Sequence, residues 1–157
     1  MSLSESDFKL AMSHFASGVT VVATETDGQK YGMTVASFAS LSLRPPLVLV
    51  CIEKSVKTHD AIVAARKFGI SVLTKDQADL SNRFASRSDD KFAGVALQDG
   101  SLGVPLLADA LATIECSLYD QLSGGDHSIF VGQVEAVTTA SHEPLVYYRS
   151  AYREITG

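Results

Sequence analysis

Residues 19 to 37 read VTVVATETDGQKYGMTVAS, and this stretch decides the class of fold. The β-branched run from Val19 to Thr24 is typical of a strand. Thr26-Asp27-Gly28-Gln29 has the composition of a tight hairpin turn, and residues 31 to 37 are predicted to return as a second strand. The first sheet element is therefore predicted to be a β-hairpin.

An amphipathic helix is predicted before this hairpin, over Ser4 to Phe15. Ser4 is a suitable N-cap, and apolar residues recur at helical spacing at Phe8, Ala11, Met12 and Phe15. Gly18 is predicted to end the helix.

Two prolines mark the segment after the hairpin. Ser42-Leu43-Arg44-Pro45-Pro46 predicts an extended connector, because each proline fixes φ and restricts the residue before it. Residues 47 to 52 predict an apolar strand that is buried on both faces. Beyond it we expect a helix over Thr58 to Ala65, a strand over Phe68 to Leu73, a short helix over Gln77 to Ala85 opened by Asp76, and a loop over Asp89 to Gly103.

The last third returns to strand. Residues 112 to 122 and 128 to 139 flank Ser123-Gly124-Gly125-Asp126-His127, a turn rich in residues that tolerate positive φ. Pro144 starts a short terminal segment. Six or seven strands with about three helices predict one domain over residues 1 to 157, with a mainly β (α+β) fold in which a β-barrel carries helices at its ends.

Bulk properties exclude several classes of function. The chain has 157 residues, 46% of them hydrophobic, which suits one buried core. Its net charge is -5 and its thirteen Lys and Arg are scattered, which argues against a nucleic-acid partner. No apolar stretch approaches the roughly 20 residues of a membrane span, and the polar, acidic N-terminus does not resemble a signal peptide, so a cytoplasmic protein is expected.

Neither the cysteines nor the histidines form a metal-binding pattern. Cys51 and Cys116 lie in apolar, strand-like segments without C-x-x-C spacing, and we expect buried, reduced thiols. The four histidines show no H-E-x-x-H pattern, and no metal site is expected.

The common nucleotide-binding motifs are absent. The eleven glycines never form G-x-G-x-x-G, a P-loop or a nucleophile elbow. Three hydroxyl-rich segments at strand ends remain: residues 32 to 37, 53 to 58 and 82 to 86. They carry the donors that a flavin ring edge and its phosphate require. By composition alone, ordinary surface residues and a solvated face at Lys54 and Lys57 remain the favoured alternative.

Six segments, in order, resemble the flavin reductase-like domain family. These are the short-chain NAD(P)H:flavin oxidoreductases that serve as reductase components of two-component monooxygenases. The resemblance extends from Phe8 to Tyr152, although the loop at Ser123-Gly124 varies in such proteins. The segments are Phe15 to Val22, Gly32 to Phe38 leading to Ser42 to Leu47, Lys54 to His59, Arg83 to Ala85, Gly125 to His127, and Pro144 to Tyr148.

The resemblance implies an FMN-binding split β-barrel that forms a homodimer, with FMN or FAD in a groove near the subunit interface and NAD(P)H as electron donor. A partner oxygenase is expected to receive the reduced flavin. By position, Thr34, Val35, Ala36 and Ser37 are expected at the flavin ring edge, with Ser40 and Ser42 nearby. Lys54, Ser55 and Thr58 are expected at the ribityl chain or phosphate, together with the helix N-terminus near Thr58 and, at the phosphate end, Arg83, Phe84 and Ala85.

The resemblance also implies that His127 contacts the nicotinamide nucleotide. The alternative is that Gly124-Gly125-Asp126 is an ordinary hairpin turn and His127 only begins the next strand. Tyr148, Arg149 and Tyr152 are secondary candidates for closing the site, against ordinary packing for Tyr147 and Tyr148. Hydride transfer between cofactors needs no protein nucleophile, which agrees with the absence of a catalytic dyad in the sequence.

Three other functions remain open at this stage. A pyridoxamine-phosphate-type split-barrel oxidase is disfavoured by the Gly-Asp-His turn and the Ser-Leu-Arg-Pro-Pro segment. A non-catalytic FMN-binding protein and a small barrel for an unrelated apolar ligand are the other two.

Overall fold

The computed structural model describes residues 2 to 156, which form a mainly β fold with three α-helices. The helices are α1 (Glu5–Ser13), α2 (Lys57–Ala65) and α3 (Ala78–Ala85). The strands are β1 (Ser17–Gly18), β2 (Thr20–Thr26), β3 (Gln29–Val35), β4 (Phe38–Ser42), β5 (Leu47–Glu53), β6 (Lys67–Val72), β7 (Leu97–Gln98), β8 (Leu106–Leu107), β9 (Ala112–Gly124), β10 (His127–Thr139), β11 (Val146–Tyr148) and β12 (Ala151–Arg153). The predicted fold class is confirmed.

Seven strands form one antiparallel sheet in the order β3-β2-β6-β9-β10-β5-β4. Its two edge strands, β3 and β4, are consecutive in the chain and are joined only by Ala36 and Ser37. Because so short a link joins the two edges, the sheet must curl until they lie near each other, although β3 and β4 do not pair and the sheet stays open, as in a split barrel. Val35 of β3 and Val48 and Val50 of β5 accordingly share one buried cluster.

Strand β2 is buried on both faces, which explains its uninterrupted β-branched composition. Val22 packs with Phe68 and Phe130 in the cluster inside the curled sheet. Its neighbour Val21 points the other way and packs with Phe84 in a second cluster under α3. The predicted hairpin is confirmed: Asp27 and Gly28 both have positive φ, and β2 pairs with β3 in register around them.

The first helix is shorter than predicted. Ser4 caps it as expected, its Oγ accepting from the Asp7 N–H, but the helix ends at Ser13 rather than near Gly18. Gly18 belongs instead to β1, which pairs with β11. Backbone pairing with the C-terminal strands therefore decides this boundary.

The proline segment is a turn, and the prediction of an extended connector was wrong. Residues 43 to 46 reverse the chain between β4 and β5, and the Arg44–Pro45 peptide is cis. Strand β4 was not predicted, because its sequence, FASLS, has little strand preference of its own. Pairing with the strongly apolar β5 specifies it.

Asp76 does not open the third helix, contrary to expectation. Thr74 and Gln77 form a reciprocal capping box around a 3-10 turn, in which the Thr74 N–H donates to Gln77 Oε1 at 3.0 Å. The α-helix then begins at Ala78. Each cap group satisfies the other's backbone, which fixes the start of the turn at Thr74.

Both cysteines are free thiols, Cys116 buried and Cys51 only half-buried. Burial, together with the negative charges of Glu135 and Glu115, raises the pKa of Cys116 to about 12. The prediction of buried, reduced thiols holds fully for Cys116 and partly for Cys51. Among residues 2 to 156, no helix is long and apolar enough to cross a bilayer.

Candidate functional site

The link between β3 and β4 forms an exposed rim of the sheet at Ala36 and Ser37. Ser37 is fixed to β5 twice: its Oγ donates to the Cys51 carbonyl at 3.0 Å, and the Cys51 N–H donates to the Ser37 carbonyl at 3.1 Å. Ser40 is exposed and Ser42 half-buried on β4, which leads away from this link. The predicted ring-edge segment thus lies beside β5.

Two residues before the link turn inward instead. Val35 is buried in the core, and the Thr34 hydroxyl donates to the Ser81 carbonyl of α3 at 2.5 Å. Thr34 therefore joins β3 to α3, and the chain presents Ala36 and Ser37 at the surface.

His127 and Lys54, predicted from separate segments, lie together at the β9–β10 turn. His127 pairs with Glu53 across β5 and β10. The Lys54 N–H donates to the Asp126 carbonyl at 2.9 Å, and Lys54 Nζ donates to Ser123 Oγ at 2.6 Å. The structure thus holds the Gly-Asp-His turn against the end of β5.

Asp126 orients the His127 ring, with 2.6 Å between its Oδ1 and His127 Nδ1. This hydrogen bond and the charge of the His127 ring hold the pKa of Asp126 below its usual range, and the charge of Lys54 adds to the effect. The His127 side chain is 43% exposed. A fixed ring that remains accessible is suited to contacting a ligand.

The N-terminus of α2 lacks the side-chain cap that α1 has. Its N-cap position is Val56, which makes no side-chain capping bond. The free N–H groups of an uncapped first turn favour an anion, and Lys54, Ser55 and Lys57 flank this turn. Thr58 lies buried within it. These residues fit the phosphate of a flavin.

His59 connects this helix to the strand that carries His127. Its Nε2 lies 2.7 Å from Ser128 Oγ, its Nδ1 lies 3.0 Å from Asp60 Oδ1, and its ring packs on Phe130. His59 lies within one of the segments that resemble the family, but this role was not predicted for it. Its signal was its position directly after Thr58.

The end of α3 is bound to the loop that follows it. Phe84 is fully buried, whereas Ala85 is exposed. Arg83 donates through Nε to the Lys91 carbonyl at 2.6 Å and through Nη2 to the carbonyls of Asp90 and Ala93. Of the predicted phosphate-end residues, Arg83 is therefore already engaged with backbone carbonyls.

Lys91 and Phe92 were not among the predicted site residues. Lys91 Nζ donates to the carbonyls of Gly32 and Phe84, each at 3.1 Å, and burial lowers the pKa of Lys91. Phe92 packs edge-on against Phe84. The sequence feature that could have pointed to them is a lysine and a phenylalanine side by side in the otherwise polar segment after α3.

The two C-terminal tyrosines lie in different surroundings. Tyr152 lies at α3, where its hydroxyl is 2.7 Å from Ser81 Oγ and donates to Asn82 Oδ1. Tyr148 instead packs edge-on against His14 after α1. The Arg149 N–H donates to the Ser13 carbonyl at 2.9 Å. Within one chain, Tyr152 therefore joins the Thr34 side of the site, and Tyr148 and Arg149 join α1.

The rim formed by Ala36, Ser37, Lys54 and His127 is open in a single chain. Two clefts of about 490 and 520 Å³ lie elsewhere, around Asp76 and His142. Only Arg83 of the predicted site residues lines one of them. We place the candidate site at the rim, because the chemistry predicted from the sequence converges there.

Comparison with known proteins identifies the family of the chain. The family model of the flavin reductase like domain matches residues 12–156. The reductase component of 4-nitrophenol 4-monooxygenase/4-nitrocatechol 2-monooxygenase from Rhodococcus opacus is 44% identical over 150 residues, which cover 96% of this chain and 80% of that protein.

Solved structures share the fold over almost the full length. Nitrilotriacetate monooxygenase component B from Mycobacterium thermoresistibile superposes with a TM-score of 0.93 at 37% identity, covering 97% of this chain and 87% of that one. The NADH:FAD oxidoreductase SgcE6 from Streptomyces globisporus, in complex with NAD and FAD fragments, gives 0.93 at 34% identity and covers 99% and 98%. The chain therefore belongs to the flavin reductase like domain family.

Proposed function

We propose that this flavin reductase oxidises NADH or NADPH, reduces FMN or FAD, and supplies the reduced flavin to a partner oxygenase. The observation that carries the proposal is the convergence of the His127 turn and Lys54 beside the uncapped N-terminus of α2. When both cofactors are bound, they supply the chemistry themselves, a hydride passing from nicotinamide C4 to flavin N5. The chain's residues bind and orient.

The flavin phosphate is assigned to the first turn of α2. Val56 leaves the first-turn amides without a side-chain acceptor, and Lys54, Ser55 and Thr58 border them. A phosphate here gains charge-assisted hydrogen bonds and the favourable end of the helix dipole. The end of α3, with Arg83, Phe84 and Ala85, borders the same end of the flavin.

The flavin ring edge is assigned to the β3–β4 link. Thr34 and Val35 anchor the link to α3 and to the core, so that the exposed backbone of Ala36 and Ser37 is held in a fixed position. Ser40 and Ser42 extend the hydroxyl-bearing surface along β4. Such a rigid edge positions the ring without a tight enclosure, which suits release of the reduced flavin.

His127 is assigned to the nicotinamide nucleotide. Asp126 binds Nδ1, so Nε2 is the ring nitrogen that is proposed to contact the nucleotide. The ring is orientated before the nucleotide arrives, so little side-chain freedom is lost on binding.

A second copy of the chain is proposed to complete the site. Phe8, Met12 and Phe15 form an apolar stripe along and just after α1 and are 53%, 55% and 80% exposed. A contiguous exposed apolar stripe marks an interaction surface. Tyr148 and Arg149 contact the same end of α1, so pairing through this stripe would bring the C-terminal candidates into the interface.

The names of the relatives guide the choice of substrates. SgcE6 is described as an NADH:FAD oxidoreductase, and the Rhodococcus opacus protein as a reductase component of a nitrophenol monooxygenase. NADH with FAD is therefore the first pair to assay, and an oxygenase acting on an aromatic substrate is the first partner to test.

The direct test follows the loss of nicotinamide absorbance with purified protein. NADH and NADPH are each compared with and without added FMN or FAD. Rapid oxidation that depends on flavin supports the proposal and ranks the substrates. Tight flavin binding without turnover would instead favour an oxidase or a non-catalytic flavin-binding protein, and no flavin binding would favour a barrel for another ligand.

A further inference from the structure

The side chains of Arg83 and Lys91 each bind backbone carbonyls in the segment that carries the other residue. Arg83, on α3, donates to the carbonyls of Asp90, Lys91 and Ala93 in the following loop. Lys91, in that loop, reaches back to the carbonyls of Gly32 on β3 and Phe84 on α3. We call these two side chains the α3 clamp. Since each cation is bound by carbonyls, the clamp ties β3, α3 and residues 89 to 93 into one unit.

An aromatic contact between Phe92 and Phe84 packs the same loop against α3. The rings of Phe92 and Phe84 lie 4.9 Å apart, edge to face. A Cβ added at Gly32 would lie 2.9 Å from Phe92 Cζ, so the loop packs directly on the β3 backbone two residues before Thr34. The loop can therefore transmit a displacement to the predicted ring edge.

The far end of the loop reaches α2. Lys57 Nζ, at the first residue of α2, donates to Asp89 Oδ1 at 3.0 Å. Both partners are well exposed, so this ion pair alone is weak. It nevertheless places residue 89 beside the proposed phosphate site, while the side chains of residues 91 and 92 contact Gly32 of β3.

We propose that Arg83 and Lys91 are positioning residues, which hold the β3 ring edge in place by fixing residues 89 to 93 against the β3 backbone. Arg83 thus acts through the loop and does not bind the flavin phosphate itself. Its guanidinium already serves three carbonyls, and turning it to a phosphate would leave them without their donor. This inference rests on the flavin placement proposed above.

The test compares FMN with riboflavin, which has the same ring and ribityl chain but no phosphate. Dissociation constants for both are measured by flavin fluorescence, and kcat/KM with NADH, for wild type, Arg83→Gln and Lys91→Met. A positioning role predicts that each variant weakens both flavins by a similar factor, about tenfold, because small misplacements of a site are costly. Amide exchange of residues 89 to 93 should rise in both variants.

Two further variants frame the result. Lys54→Met is expected to weaken FMN and leave riboflavin nearly unchanged, because its amine is proposed to face the phosphate. Lys30→Gln removes a cation at the far end of β3, where it pairs with Glu25, and should change neither flavin. If Arg83→Gln fails to fold, Arg83→Lys and Lys91→Met carry the same comparison.

The outcomes separate the two proposals. A selective loss of FMN binding in Arg83→Gln, with riboflavin binding and loop exchange unchanged, would overturn the positioning role and leave the flavin placement intact. If Lys54→Met leaves the FMN-to-riboflavin ratio unchanged, the placement of the phosphate fails instead. Unchanged binding of both flavins in both clamp variants would also overturn the positioning role.

Discussion

Strand β10 passes through two contrasting environments within six residues. At Gly132 the sheet is packed so closely that an added Cβ would lie 2.7 Å from both Cys116 Cβ and Phe68 Cζ. At His127, where the strand begins, the side chain is 43% exposed and its neighbours are the polar residues Lys54 and Asp126. The closed end carries packing energy, and the open end carries the candidate chemistry.

The contrast suggests how the molecule combines a rigid site with access for its ligands. The buried half of β10 fixes the strand between β9 and β5, and this sets where His127 emerges. Substitutions at the closed end should therefore change stability, and substitutions at the open end should change turnover with the fold retained. The predictions below test that separation.

The largest difference is expected between the two thiols. Only a thiolate reacts with iodoacetamide, and with the Cys116 pKa raised to about 12, about one thiol in ten thousand is ionised at pH 8. Cys116 is also buried, so we expect alkylation only after unfolding, whereas half-buried Cys51 reacts first. Mass spectrometry of the two cysteine-containing peptides measures the extent of alkylation at each thiol. Equal alkylation of both in the native protein would remove the distinction between a closed and an open end.

Gly132→Ala is expected to destabilise the protein by about 1–3 kcal/mol, because the new methyl group overpacks a core that cannot yield. Gly18→Ala is the matched control, since a Cβ there meets nothing within 4 Å. Chemical denaturation of the two variants compares them directly. The same loss of stability in both would show that the space around Gly132 is not the cause.

Asp126→Asn should have the smallest effect, roughly a threefold loss of kcat/KM for NAD(P)H, because an exposed hydrogen bond between two side chains contributes little and the amide can still orient the ring. The pKa of Asp126 is lowered in the folded protein. Its contribution to folding stability is therefore complete above the pKa of the unfolded chain and is lost only as pH falls through the lower pKa of the folded state. Because the lowered pKa keeps Asp126 a carboxylate above about pH 4, the kcat/KM profile of the wild type should show no loss from protonation of Asp126 above that pH. A step in that profile near pH 5 or 6 that Asp126→Asn removes would contradict this.

Much of the sheet around the closed end was predictable from composition. The β-branched run of β2, the apolar run of β5 and the Asp27-Gly28 turn each specify their own structure locally, and the structure confirms both strands and the turn. The predicted burial of β5 on both faces holds only in part, because Leu49 and Cys51 on one of its faces are half-buried. Strand β4 was not predictable, because pairing with β5 specifies it and its own residues do not. The end of α1 and the start of α3 depend on contacts with residues distant in the sequence or on a capping box.

The residues of the open end could not be predicted from composition. Composition left Lys54 and His127 as ordinary surface residues, and only the family resemblance selected them. The structure then brought the two together through Asp126 and Ser123, a contact between residues about 70 positions apart that no local pattern encodes. The clamp formed by Arg83 and Lys91 was missed for the same reason, since its partners are backbone carbonyls rather than a recognisable motif.

The assignment of His127 to the nicotinamide nucleotide is tested most directly by His127→Ala, measured for two quantities in the same preparation: the dissociation constant of the flavin and kcat/KM for NAD(P)H. We expect at least about a tenfold loss of kcat/KM, as for a lost contact to the nucleotide, with flavin affinity and the unfolding midpoint unchanged. Equal losses of flavin affinity and of kcat/KM for NAD(P)H, with the fold intact, would contradict the assignment of His127 to the nicotinamide side.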